Sequence, residues 1–139
     1  MRITVLTLCD AGSVRENLVS MLGAGLTLVQ PQDYPAPLQP SLALQLTAHA
    51  DEVGAHAVEL TIGGTDDERA PRLMEATLGL NVEEPSQGGG SFQSFSIVLD
   101  LSEVLVPVPG DYVIRARLDS ADPVEYGFTA AEPARAAHP

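Results

Sequence analysis

The chain has 139 residues, 45% of them hydrophobic, and a net charge of −12, from nineteen acids against seven bases that are all arginine. That length and apolar content suit one domain of common size with a packed core, not a disordered segment. The charge excludes the basic face that nucleic acid needs and disfavours anionic membrane surfaces.

Aromatics are few, with three Phe, three Tyr and no Trp, so the core must come mostly from Leu, Val, Ile and Ala. The single cysteine, Cys9, rules out an intrachain disulfide framework. The opening segment Met1 to Asp10 is too short and mixed for a signal peptide or a membrane span. A reduced, cytoplasmic protein is the expectation. The lysine-free, Arg- and Ala-rich composition suggests a bacterial source.

In chain order, the first element is a strand from the amino-terminal run to Cys9-Asp10. Ser13-Val14-Arg15-Glu16 then matches a helix capping box, followed by Leu18, Val19, Met21 and Leu22. Gly23 and Gly25 interrupt that pattern, and Leu26, Leu28 and Val29 read as strand. Residues 13–22 therefore read as helix or strand, and an irregular strand with a glycine bulge is preferred. Gln30 to Pro40 carries four prolines and must be an extended connection.

From there period-two alternation dominates. Leu42, Leu44 and Leu46 share a face, as do Val58, Leu60 and Ile62, then Leu78, Leu80 and Val82. Phe95, Ile97, Leu99 and Leu101 follow the same rule, then Tyr112, Ile114, Ala116 and Leu118, and finally Val124, Tyr126 and Phe128. Residues two apart point to one side of a strand, so each segment offers one apolar and one wet face.

Turn chemistry separates the segments. Asp51-Glu52-Val53-Gly54 is expected to turn a hairpin between His49 and His56. Gly63-Gly64-Thr65-Asp66-Asp67 closes the next pair, and Pro85 to Gly90 reads as a flexible hairpin loop. Pro107 to Asp111 leads into the Tyr112 strand, and Asp119 to Pro123 joins the last two strands. The whole predicts an all-β, antiparallel β-sandwich of about eight strands, immunoglobulin-like or C2-like, over residues 1–131. A flexible tail follows at 132–139.

Four stretches carry a resemblance. They are the opening strand ending in Leu8-Cys9-Asp10, the Asn17-Leu18 to Leu22-Gly23-Ala24 segment, the Pro-rich link into Leu42-Ala43-Leu44-Gln45-Leu46, and Pro109-Gly110-Asp111-Tyr112. Over residues 1 to about 130 the chain resembles a family of small, uncharacterised bacterial proteins known only as a domain of unknown function. The resemblance implies a β-sandwich and a strand at Leu22-Gly23-Ala24. It brings no activity and no site residues.

Chemistry-bearing residues are scattered. His49 and His56, with Asp51 and Glu52 between them, could hold zinc or nickel. His-x6-His is not a recognised ligand spacing, however, and a hairpin tip is naturally polar. Asp66, Asp67 and Glu68 offer oxygens at a turn but lack EF-hand spacing. Cys9 lacks a nearby base and reads as a buried strand-end residue. Asp100 with Glu103, or Asp119 with Asp122, could pair as in a glycosidase only if they faced one cleft. Gly88-Gly89-Gly90 lacks the Lys-Ser/Thr of a phosphate loop. Tyr112 suits a hydrogen bond back across a sandwich corner.

No catalytic, cofactor-binding or metal-ligating set is therefore assigned, and no cofactor. The expected function is non-catalytic binding or assembly through protein–protein contacts, with a protein partner or self-association through an edge strand, and with neither nucleic acid nor membrane. The alternative is a small-molecule or carbohydrate-binding sandwich, possibly metal-assisted.

Overall fold

The computed structural model describes residues 1–65, 72–85 and 88–133 and is all-β there. The strands are β1 (Arg2–Cys9), β2 (Ala11–Arg15), β3 (Leu18–Leu22), β4 (Leu28–Val29), β5 (Ala36–Pro37), β6 (Ser41–His49), β7 (Gly54–Gly64), β8 (Arg72–Val82), β9 (Phe92–Asp100), β10 (Leu105–Val106), β11 (Gly110–Leu118) and β12 (Val124–Ala130).

Two sheets make the sandwich. The smaller runs β1-β6-β9 and the larger β4-β12-β11-β7-β8. Every pairing in them is antiparallel except the short contact of β4 with β12. The registers place the alternating residues as the sequence predicts. Leu8, Leu42 and Leu99 share one inward row, and Leu60, Ala76 and Ala116 share another. Leu42, Leu44, Leu46, Val58, Leu60, Ile62 and Ile114 are fully buried in one continuous core between the sheets.

The competition over residues 13–22 resolves as a hairpin. β2 and β3 pair antiparallel around Glu16 and Asn17, both at positive φ (53° and 59°), which marks a two-residue type I′ turn. Strand is right and helix wrong, but no bulge is involved. The capping-box pattern loses because the hairpin folds over the outer face of the small sheet, where tertiary packing overrides local propensity. Ser96 Oγ donates to Asn17 O at 2.7 Å, and a Cβ on Gly12 would sit 3.2 Å from Val98. Ala43 and Cys9, on that outer face, are thereby fully buried.

The glycines act after the hairpin rather than within a strand. Gly23 (φ 66°) and Gly25 (φ 84°) reverse the chain, and the Gly25 N–H donates to Leu8 O and Thr7 Oγ1.

Two predicted hairpins are corrected. β6 and β7 lie in different sheets, so the segment from His49 to Gly54 crosses the sandwich. The same holds for β8 and β9, so the Pro85 to Gly90 segment is also a crossover, not a hairpin loop. β6 is occupied on both sides by β1 and β9, and β7 by β11 and β8, while β8 and β9 take their partners, β7 and β6, in opposite sheets. The Asp119 to Pro123 turn and the β7–β8 pair do form hairpins. Residues Asp66, Asp67 and Glu68, and the tail from 134 on, lie outside the described residues.

Candidate functional site

The histidines go to separate partners. His49 ends β6, with Nδ1 2.7 Å from Asp51 Oδ1 and its ring edge-on to Phe92 at 5.2 Å. His56, on β7, has Nδ1 2.8 Å from Asp119 Oδ2 and Nε2 2.8 Å from Glu52 O. A carboxylate and a carbonyl accept and do not donate, so the geometry suits the imidazolium with both ring nitrogens donating. Asp119 holds this pair from the β11–β12 turn, where its Oδ1 also accepts the Ala57 N–H at 3.0 Å. The hydrogen bond to Asp119 raises the His56 pKa, and the hydrogen bond to His56 holds Asp119 below its ordinary value. Among the described residues no three His, Cys, Asp or Glu side chains converge to hold a metal ion.

The other candidates sit apart. Cys9 Sγ lies 3.7 Å from Ser41 O beneath the β2–β3 hairpin, and burial pushes its thiol up, away from thiolate reactivity. Asp100 Oδ1 accepts the Ser102 N–H at 2.9 Å, which keeps it below the usual carboxylate range. A glycosidase acid needs the opposite shift. Tyr112 does make the predicted corner, its Oη donating to Val108 O at 2.6 Å while its ring stacks on Phe128.

What the sequence reading missed is a groove of about 770 Å³ beside the proline-rich connection. That volume falls within the range of ligand sites. The connection is not a loose link. Leu38 and Ala36 are buried, β5 pairs with β10, and Leu38 N–H donates to Val104 O at 3.0 Å. Pro37 is tolerated because β5 is a two-residue edge strand. Tyr34 Oη donates to Ala131 O at 2.5 Å, and Tyr126 Oη to Leu26 O at 2.7 Å. These bonds fasten the middle of the connection to the residue after β12, and the segment leading into it to β12 itself.

The groove is walled by Leu28 and Val29 of β4, the rings of Pro31, Pro35, Pro37 and Pro40, and Val106. Asp10 and Asp33 bring carboxylates to it, and Gln30, Gln32 and Gln39 bring amides. Among the described residues its lining holds no His, Cys, Ser, Thr or Lys. It offers apolar contact, two negative charges and amide hydrogen bonding. The four prolines between Gln30 and Pro40 were the available signal, since proline fixes φ and pre-forms a wall.

A second, polar depression lies on the outer face of the large sheet, between Arg72, Arg115 and Arg117 and the carboxylates of Glu59 and Glu125. Arg115 Nε is 3.6 Å from Glu125 Oε2, and Arg72 pairs with Glu75. Positive and negative charges nearly balance there, so it presents no strong field of either sign.

No curated protein matches this chain. Among solved structures it is similar to a β-glucosidase from Erythrobacter marinus at 20% identity and TM-score 0.42, covering 77% of this chain and 14% of the enzyme. A β-glucosidase from Listeria innocua is similar at 11% identity and TM-score 0.44, covering 75% and 14%. The chain thus spans about one seventh of these enzymes, and likeness at that level says nothing about activity. A family model does match, across residues 4–130. The chain belongs to that family, DUF6941, a family of unknown function.

Proposed function

We propose that this protein is a non-catalytic binding module that works through protein–protein contacts, its groove taking an extended, cationic segment of a partner. The observation that carries this reading is the groove itself: pre-formed, proline-walled, and lined by two carboxylates without a nucleophile or imidazole beside them. A wall held by buried Leu38, the β5–β10 pair and two tyrosine hydroxyls is ordered before a partner arrives, which spares the entropy cost of ordering it on binding. Aliphatic side chains fit between the proline rings, and Lys or Arg fits Asp10 and Asp33. The net charge of −12 favours approach of a basic segment. A reducing, cytoplasmic setting suits the buried lone thiol of Cys9.

The test is a photo-crosslinking residue at Gln32, on the exposed rim of the groove, in cells of the source organism. One defined protein adduct is expected, weakened in an Asp10→Asn, Asp33→Asn double variant. A control crosslinker at Thr61, on the outer face of the large sheet, should not capture it. Equal capture from both positions, or none from the groove, overturns the reading.

A further inference from the structure

The sheet edges of this molecule are finished unequally. The β12 edge is covered by β4. The β1 edge is broken by a register shift between Ile3 and Val5, a bulge of the kind that discourages strand addition. β8 has neither protection. Among the described residues it closes the large sheet as an eleven-residue strand paired only with β7, and its register shift falls at its first residues, opposite Ile62 and Gly63. From Met74 to Val82 it runs regularly, with no Lys or Pro to blunt it. Along the face it turns to the core, Met74, Ala76, Leu78 and Leu80 are only half-buried.

From this edge we infer that two copies of the chain pair β8 to β8, antiparallel about a two-fold axis at Leu78, joining their large sheets. The end charges select this occupant. β8 starts at Arg72, an exposed base, and runs out into Glu83 and Glu84, two exposed acids. In an antiparallel pair each copy's Arg72 lies against the other's Glu83 and Glu84, whereas a parallel pair would set like against like. Centring on Leu78 places Ala76 opposite Leu80 of the second copy and Met74 opposite Val82. The apolar face then continues across the junction, with the same patch used by both copies, as a two-fold interface requires. The Arg72–Glu75 pair within one chain is exposed and does not hold Arg72 back. β9, the neighbouring edge, has one charge, Asp100, and no base to complement it.

This inference applies the protein–protein reading to a second surface, and its measurement does not depend on the groove. Sedimentation equilibrium of the full chain should give twice the 14.6 kDa chain mass. Arg72→Glu should raise the dimer dissociation constant at least ~10-fold, and a Glu83→Arg, Glu84→Arg double variant should do the same. Combining all three substitutions should restore the wild-type constant. Circular dichroism confirms folding of each variant, and because the Glu83 and Glu84 changes lie in a crossover rather than a hairpin, they carry the test if Arg72→Glu unfolds. A wild-type monomer at every concentration up to about 100 μM overturns the inference. So does a dimer whose dissociation constant ignores both charge reversals. A dimer with no groove adduct would sink the groove reading alone, and a groove adduct on a monomer would sink this one alone.

Discussion

Along one flank of the sandwich β12 is capped by β4 and strapped by the Gln30 to Pro40 connection, whereas along the other, among the described residues, β8 and β9 end their sheets unpaired. The first flank is sealed with buried apolar residues from outside the two main sheets, Ala36, Leu38, Leu101, Val104 and Val106. The second leaves Leu78, Leu80, Phe95, Ile97 and Leu99 half-buried, although they belong to the strands that alternate most cleanly. Periodicity says which face of a strand points inward. It does not say whether another element lies beyond the edge, and that decides how much burial the inward face receives.

The largest expected effect compares one leucine from each flank. Leu38 is 1% exposed and anchors the strap in the core, so Leu38→Ala should cost about 2–5 kcal/mol in urea unfolding, the usual range for a buried leucine. Leu78→Ala on the open flank should cost less, about 1 kcal/mol, because Leu78 is only half-buried. Equal losses would show that the two flanks are packed alike.

Next comes the reversal that lets the strap begin. Gly23 sits at φ 66°, and a Cβ there would lie 2.5 Å from Asp10 Oδ2. Gly23→Ala should therefore destabilise by about 1–2 kcal/mol from backbone strain alone, with the contact adding to it. Removing the carboxylate as well, in a Gly23→Ala, Asp10→Ala pair, should recover the contact part only. Full recovery would mean that the left-handed backbone costs nothing here.

Smaller again are the tyrosine anchors. Tyr34→Phe, at the strap, and Tyr112→Phe, at the corner into β11, each remove one hydroxyl donor from a carbonyl. Each should cost about 1 kcal/mol. The Tyr34 change should also increase hydrogen exchange at Leu38, whose amide bonds to Val104 O, while Tyr112→Phe leaves that amide protected.

These comparisons mark how far the sequence could be read. The inward faces of β6, β7, β8, β9, β11 and β12 were legible from alternation, and Tyr112 from its place two residues into a strand that follows Pro109-Gly110. The pairing of those strands was not. His49 to Gly54 and Pro85 to Gly90 carry the turn residues of hairpins, yet join strands of opposite sheets. Turn chemistry reports a local reversal and is blind to which strand then fills the edge. The Ser13 to Leu22 hairpin was ambiguous because its Glu16-Asn17 turn uses positive φ without glycine. The groove stayed invisible for a related reason: its wall comes from a segment without periodicity, and only the docking of Leu38 and Tyr34 gives that segment a shape.

The smallest effect lies at the end of the open flank, where an ionic contact does the fastening that tyrosine hydroxyls do on the closed one. His56 joins β7 to the Asp119 turn and to Glu52 of the crossover. Its pKa is raised from 6.5 by the Asp119 hydrogen bond, so folding favours its protonated form. That contribution is complete below about pH 6.5 and disappears as pH climbs through the raised value. Asp119 is lowered from 3.8, so its share is complete above that value and is lost as pH falls through the lowered one. The pair therefore stabilises most between about pH 4 and 6.5. Carboxylates finish titrating below that upper limit, leaving the histidines to dominate the change just above it. The thermal midpoint of the wild-type protein should fall between pH 6.5 and 8.5 relative to His56→Gln, and Asp119→Asn should flatten the profile in the same window. Parallel profiles for the wild type and His56→Gln would mean that this end of the open flank is held by backbone hydrogen bonds alone.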